Sequence, residues 1–175
     1  MVANIAESSQ IMKQAVDLGL EIPFYATGSS SVQQFIDLAG DAGNGVYSLS
    51  FTEVVPEDPP IKTDLIKNYA EKFGISADSF AIATYDAAYI VAEGLKNLYK
   101  NNNEEWPENI AEFRAKLRDG IAEIDNLQLC QGKIVWNKYQ ESATDVYFIQ
   151  WQDGKKVIVV RLKAEDCVVP GEEKL

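Results

Sequence analysis

Apolar residues along this 175-residue chain recur mostly every three or four positions up to about residue 121, with two short strand-like stretches among them, and alternate beyond it. That change of period limits the folds open to the chain. Ile11, Met12, Ala15 and Val16 form one stripe on a helix over 5–18, with Gly19 as its stop. Glu21-Ile22-Pro23-Phe24-Tyr25-Ala26 reads as a short strand with its proline near the first position. The polar loop Thr27-Gly28-Ser29-Ser30-Ser31 leads into a helix carrying Val32, Phe35, Ile36 and Leu38, which Gly40 and residues 41–45 close. Residues 46–51 then alternate as a second strand. Helix, strand, helix, strand is the rhythm of an α/β layer.

Val55-Pro56-Glu57-Asp58-Pro59-Pro60 breaks regular structure and reads as a loop or a connection between lobes. A helix over 61–73 follows, with Ile61, Leu65, Ile66 and Tyr69, ending near Gly74. The strongest helical pattern runs over 79–99, where Ala81, Thr84, Ala88, Val91, Leu95 and Leu98 recur, and the small Ala83, Ala87 and Ala92 permit close packing. Pro107 sits where a further helix starts, ahead of Ile110, Phe113, Leu117 and Ile121 on one face. Strand character then appears at 127–130, 132–136 and 145–151. The Asp153-Gly154 turn joins the last of these to 156–160 as a hairpin. The polar tail Pro170–Leu175 is expected to fray.

Charge and composition close off several functions. With 16 basic against 27 acidic residues, a net charge of -11 argues against binding nucleic acid through phosphates. The chain has no histidine, which removes the usual general base, proton shuttle and metal ligand. Two cysteines, Cys130 and Cys167, cannot build a structural zinc site alone; they form one disulfide outside the cytosol or stay as two buried thiols. No run approaches the ~18 apolar residues that span a bilayer. Met1-Val2-Ala3-Asn4 opens without the basic and apolar regions of a secretory signal, which points to a cytosolic protein or to part of a longer chain.

No catalytic constellation emerges, so a binding role is expected over an enzymatic one, with no cofactor and no metal. Gly28-Ser29-Ser30-Ser31, after a strand and before a helix, offers N–H groups and hydroxyls to a polar ligand but lacks the lysine and spacing of a P-loop. The glycines of residues 40–45 follow a helix and precede a strand, the reverse of a dinucleotide fingerprint. Asp37, Asp41, Glu104, Glu105 and Glu108 read as solvated charges. The serines lack a histidine to activate them. Trp106, Trp136 and Trp151 read as core or edge residues rather than ligand stackers.

Several stretches carry a family resemblance. Gln14–Pro23, Phe35–Ala42, Gly45-Val46-Tyr47, Ala83-Thr84-Tyr85-Asp86-Ala87-Ala88-Tyr89 and, more faintly, Gly132–Trp136 and the closing hairpin resemble the type I periplasmic solute-binding proteins of ABC transporters, the family that includes branched-chain amino-acid-binding proteins. The resemblance is to the C-terminal half of that family. It implies an α/β fold made of portions of two Rossmann-like lobes, incomplete relative to the family: residues 1–51 as part of the second lobe, 52–145 as part of the first, and 146–175 as the final crossover and closing strands. It further implies a non-catalytic protein of the periplasmic or extracellular face that takes a small polar solute, amino acid or related, and delivers it to a membrane permease. An alternative is a ligand-sensing regulatory domain of the same fold that binds an amide or other small effector.

The resemblance also points to site residues. Tyr85, in the Tyr-Asp-Ala motif, corresponds to a cleft-lining tyrosine, set against a reading as a packed helix-start residue. The acidic residue that holds a ligand ammonium in amino-acid-binding members falls at Gly28, which has no carboxylate. Thr27 and Ser29 beside it are therefore expected to hydrogen-bond a neutral or carboxylate-bearing solute. Incomplete sheets leave unpaired edges, so a homo-oligomer is expected.

Overall fold

A computed structural model describes residues 1–166; Cys167 and the tail expected to fray lie outside the described residues. In chain order the elements are α1 (Ile5–Asp17), β1 (Tyr25–Ala26), α2 (Gln33–Ala39), β2 (Tyr47–Ser50), α3 (Pro60–Phe73), α4 (Ser79–Asn101), α5 (Ile110–Ala122), β3 (Asp125–Leu129), β4 (Gly132–Val135), β5 (Val146–Gln152) and β6 (Lys155–Leu162). They form two units: residues 1–55 with 145–166, and residues 56–144.

The first unit holds a four-stranded sheet in the order β1-β2-β5-β6. β1 and β2 are parallel, joined through α2, while β2–β5 and β5–β6 are antiparallel. Tight pairing across the Asp153-Gly154 turn (φ 50° and 71°) sets the hairpin that the sequence signals. Ala26, Ser48, Ser50, Tyr147, Ile149 and Trp151 are buried at alternate positions of their strands. They pack with Met12 of α1 and with Phe35, Ile36 and Ala39 of α2. Phe35 and Trp151 are fully buried with ring centroids 6.2 Å apart, each worth about 1.5–3 kcal/mol of apolar burial. Trp151 Nε1 donates to the Ser30 carbonyl at 2.8 Å, so its one polar atom is satisfied inside the core.

Two local expectations change here. α1 buries Ser8, Ser9, Met12 and Ala15, while Ile11 and Val16 are exposed. Serines let the helix approach α2 closely: Ser9 Oγ donates to the carbonyl of Ile5 (2.7 Å) and lies 3.2 Å from that of Phe35. The first strand shrinks to Tyr25–Ala26, because Pro23 has no N–H to donate and only Phe24 and its successors find partners, Phe24 O accepting from Tyr47 N at 2.9 Å.

The second unit is three helices and the β3–β4 hairpin. Pro60 opens α3 at its first turn, and Gly74, at φ 71°, closes it in a left-handed cap. Asp78 caps α4, its carboxylate accepting from Ala81 N at 2.8 Å; Asn109 caps α5 through Ala111 N (2.8 Å) and Glu112 N (3.3 Å). The α4–α5 crossing rests on glycine. A Cβ at Gly120 would sit 2.5 Å from the Gly94 carbonyl oxygen, and one at Gly94 would sit 2.4 Å from Ile121 Cγ1. α4 therefore buries Ile82, Asp86, Gly94 and Leu98. Of the apolar stripe expected from the sequence, Leu98 is buried and Ala81 and Leu95 are half-buried, whereas Thr84, Ala88 and Val91 are exposed, and so are the small Ala83, Ala87 and Ala92. The close approach is made at the glycines instead of the alanines.

Candidate functional site

Thr27, Gly28 and Ser29 lie together where β1 gives way to a 3₁₀ turn over Gly28–Ser31. Backbone order comes from the surrounding hydroxyls: Ser48 Oγ donates to Thr27 O at 2.7 Å, and Ser31 Oγ to Gly28 O at 2.8 Å. Ser29 Oγ donates its only proton to Ala3 O at 2.7 Å. In the 3.2 Å contact between Thr27 Oγ1 and Ser29 Oγ, threonine is then the donor. Both protons are thus committed, and what the half-buried pair presents outward is lone pairs. The Ser30 and Ser50 hydroxyls are buried without a hydrogen-bond partner among the described residues.

Gly28 is half-buried and has ordinary surroundings for a side chain. A Cβ there would meet Leu49 O at 3.5 Å and the Phe51 ring at 3.9 Å, both normal contacts, and its φ is not positive. A Cβ at this position is thus tolerated, and the glycine is not required by its backbone.

Tyr85 belongs to the second unit, on α4. Its hydroxyl donates to Tyr89 Oη at 3.2 Å, with the rings 4.9 Å apart. That hydrogen bond, followed by burial and by the negative charge that Tyr89, Cys130 and Asp86 can carry, pushes the phenol up to about 12, so it stays neutral. Tyr85 is half-buried, neither a core residue nor free of contacts.

Sequence reasoning passed over the next residue. Asp86 is 3% exposed, and its carboxylate accepts from Cys130 N (2.9 Å), Gln131 N (3.0 Å) and Gln131 Nε2 (3.3 Å). It ties α4 to the turn of the β3–β4 hairpin. The signal available was its place in the Tyr-Asp-Ala motif, where an acidic residue interrupts a run of small apolar ones. Cys130 is a buried free thiol, pushed up to about 12 by burial and then by the Asp86 carboxylate, which leaves it chemically quiet.

Among the described residues no group of His, Cys, Asp and Glu is placed to hold a metal ion, and no helix is long and apolar enough to cross a membrane. The profile of the periplasmic binding protein family matches residues 1–156. The chain belongs to the periplasmic binding protein family.

Curated proteins give no match. Solved structures of binding proteins do. The leucine-binding protein LivK of Thermotoga maritima superposes with a TM-score of 0.79 at 17% identity, over 95% of this chain and 44% of its own. LivJ of Streptococcus pneumoniae, solved with isoleucine, gives 0.71 at 17% identity over 91% and 42%. A solute-binding protein of Rhodopseudomonas palustris, solved with benzoate, gives 0.66 at 19% identity over 93% and 43%. These likenesses establish the mixed α/β fold. This periplasmic binding protein spans less than half the length of each relative, and its family is one of non-catalytic binders.

Proposed function

We propose that the chain is the C-terminal portion of an extracytoplasmic ABC-transporter solute-binding protein, and that it contacts a small polar solute, related to amino acids, through Thr27, Gly28 and Ser29. Family membership supports the class, and the hydroxyl pair carries the reading of the site. Its outward lone pairs suit a solute that brings N–H or O–H groups. A full ammonium left without a counter-charge in a desolvated site costs several kcal/mol, and Gly28 supplies no carboxylate. Of the neutral or carboxylate-bearing solutes expected from sequence, the reading takes the neutral ones that donate, such as amides, because both hydroxyl protons are engaged within the chain. Tyr85, in the second unit, is proposed separately as a solute contact, with a neutral phenol oxygen as acceptor. In the intact protein the loaded form would dock on a membrane permease. The first unit is read as part of the family's second lobe and residues 56–144 as part of its first.

A thermal-shift panel of amides, amino acids and aromatic acids tests this, since a solute that binds only the folded state raises Tm. Amides are expected to raise it, and Thr27→Val with Ser29→Ala to abolish the shift. Gly28→Glu, whose Cβ would make only ordinary contacts at that position, is expected to turn the preference toward ammonium-bearing solutes. No shift with any solute, or equal shifts in the double variant, overturns the site. Self-association belongs to the same reading, because Tyr25 (60% exposed) and the apolar residues of β6 (39–49% exposed at Val157–Val160) leave the sheet incompletely covered. A monomer by light scattering at micromolar concentration refutes that part.

A further inference from the structure

Among the described residues the chain crosses between its two units twice, leaving the first after β2 through residues 51–55 and returning at Asp145, one residue before β5. Each crossing carries a buried or half-buried carboxylate. Glu53 is 7% exposed and accepts from Lys156 Nζ at 2.7 Å. Asp145 accepts from Arg161 Nε at 2.8 Å and Nη2 at 2.7 Å, and from Ala164 N at 2.8 Å. Both cations stand on β6, five residues apart on one strand. The Arg161 guanidinium also lies 5.7 Å from the Tyr147 ring centroid, which holds it over β5.

We propose that β6 is a shared anchor for both connections, with Lys156 and Arg161 as positioning residues that stiffen the two crossings at their first-unit ends. Sequence distance makes this hard to achieve otherwise: Glu53 and Asp145 are separated by the whole of the second unit, yet one eight-residue strand holds both. Among the described residues β6 is the edge strand of the sheet, paired with β5. Both Arg161 nitrogens converge on Asp145 Oδ2 while Oδ1 takes the Ala164 N–H, so each carboxylate oxygen is held by its own charge-assisted or backbone partner, and shielding of Glu53 limits the screening that makes surface pairs weak. The proposal does not depend on which solute, if any, the chain binds.

Native-state hydrogen exchange on the whole chain tests it. Lys156→Gln is expected to speed exchange over residues 52–55, and Arg161→Gln at residues 146 and 147 and at Ala164, by about tenfold each, because local opening reports the local contact. Amides of Ile149 and Trp151 in the core of β5 should change by less than about threefold. The conservative Lys156→Arg and Arg161→Lys should restore slow exchange at the crossings. Uniform acceleration through β5 would show that the pairs merely stabilise the unit, and no acceleration at either crossing would show that they hold nothing; either result overturns the anchor.

Discussion

Replacing Asp86 with alanine removes the acceptor of three hydrogen bonds at once. Two of the donors are backbone N–H groups of the hairpin turn, and Cys130 is only 2% exposed, so its N–H has no route to water. An orphaned buried donor costs about 1–3 kcal/mol. Gln131 is half-buried, so its groups recover part of their bonding from solvent. Relief from burying a charge offsets a further part. The balance is a loss of roughly 2–4 kcal/mol from the second unit. With a urea slope of about 1.5 kcal/mol/M, the midpoint falls by roughly 2 M. Asp86→Asn keeps one acceptor oxygen but turns an amide donor toward an N–H donor, and should lose about half as much. The assay is urea unfolding followed by hydrogen exchange of α4 and hairpin amides, which separates the second unit from the first. A loss below about 1 kcal/mol for alanine, or equal losses for alanine and asparagine, would refute the account of Asp86 as the hairpin's acceptor.

Three further perturbations test other parts of the structure. Gly120→Ala places a methyl 2.5 Å from the Gly94 carbonyl oxygen, forcing α4 and α5 apart, and should cost about 1–3 kcal/mol in a chemical denaturation measured on the second unit; an unchanged midpoint would refute the glycine crossing. Cys130, held near 12, should resist alkylation at pH 8 in the folded chain and react only on unfolding, as peptide-level mass spectrometry after iodoacetamide treatment would show; rapid native labelling at that residue contradicts its burial. Burial pushes the Asp145 carboxyl up, but the Ala164 N–H and the Arg161 guanidinium outweigh it and leave it below the ordinary carboxylate range. Its stabilisation is then fully present above the unfolded value of about 4 and is lost as pH falls through the lower folded value. Arg161→Gln should flatten the acid limb of a stability–pH curve, and an identical limb in the variant would refute the pairing.

Much of the secondary structure was legible because it is written in local chemistry. Capping and stop residues such as Pro60 and Gly74 act over one turn, and the Asp153-Gly154 hairpin needs only its own two residues and their flanks. The family resemblance was legible for the same reason, since its motifs are short contiguous runs. What a helix turns inward was legible only in part: Met12, Ala15, Phe35, Ile36 and Leu98 are buried as their stripes predict, and other members of those stripes are not. Ile11 and Val16 are apolar and exposed, while Ser8 and Ser9 are polar and buried, because α1 packs on α2 through small residues whose hydroxyls find carbonyls. α4 likewise turns Gly94 inward and Val91 outward, since the partner helix can approach only where no side chain intervenes.

At the candidate site the division falls in the same place. Residue type alone established that position 28 carries no carboxylate and that two hydroxyls flank it. Which way those hydroxyls spend their protons depended on Ala3, a residue 26 positions away from Ser29. Asp86 beside Tyr85 was visible as a letter in a motif, but its work on residues 130 and 131 is a contact across more than forty positions. One-dimensional order carries propensities and local bonds; the partner of a buried polar group is chosen by packing in three dimensions, where hydrogen bonds must close wherever water is excluded.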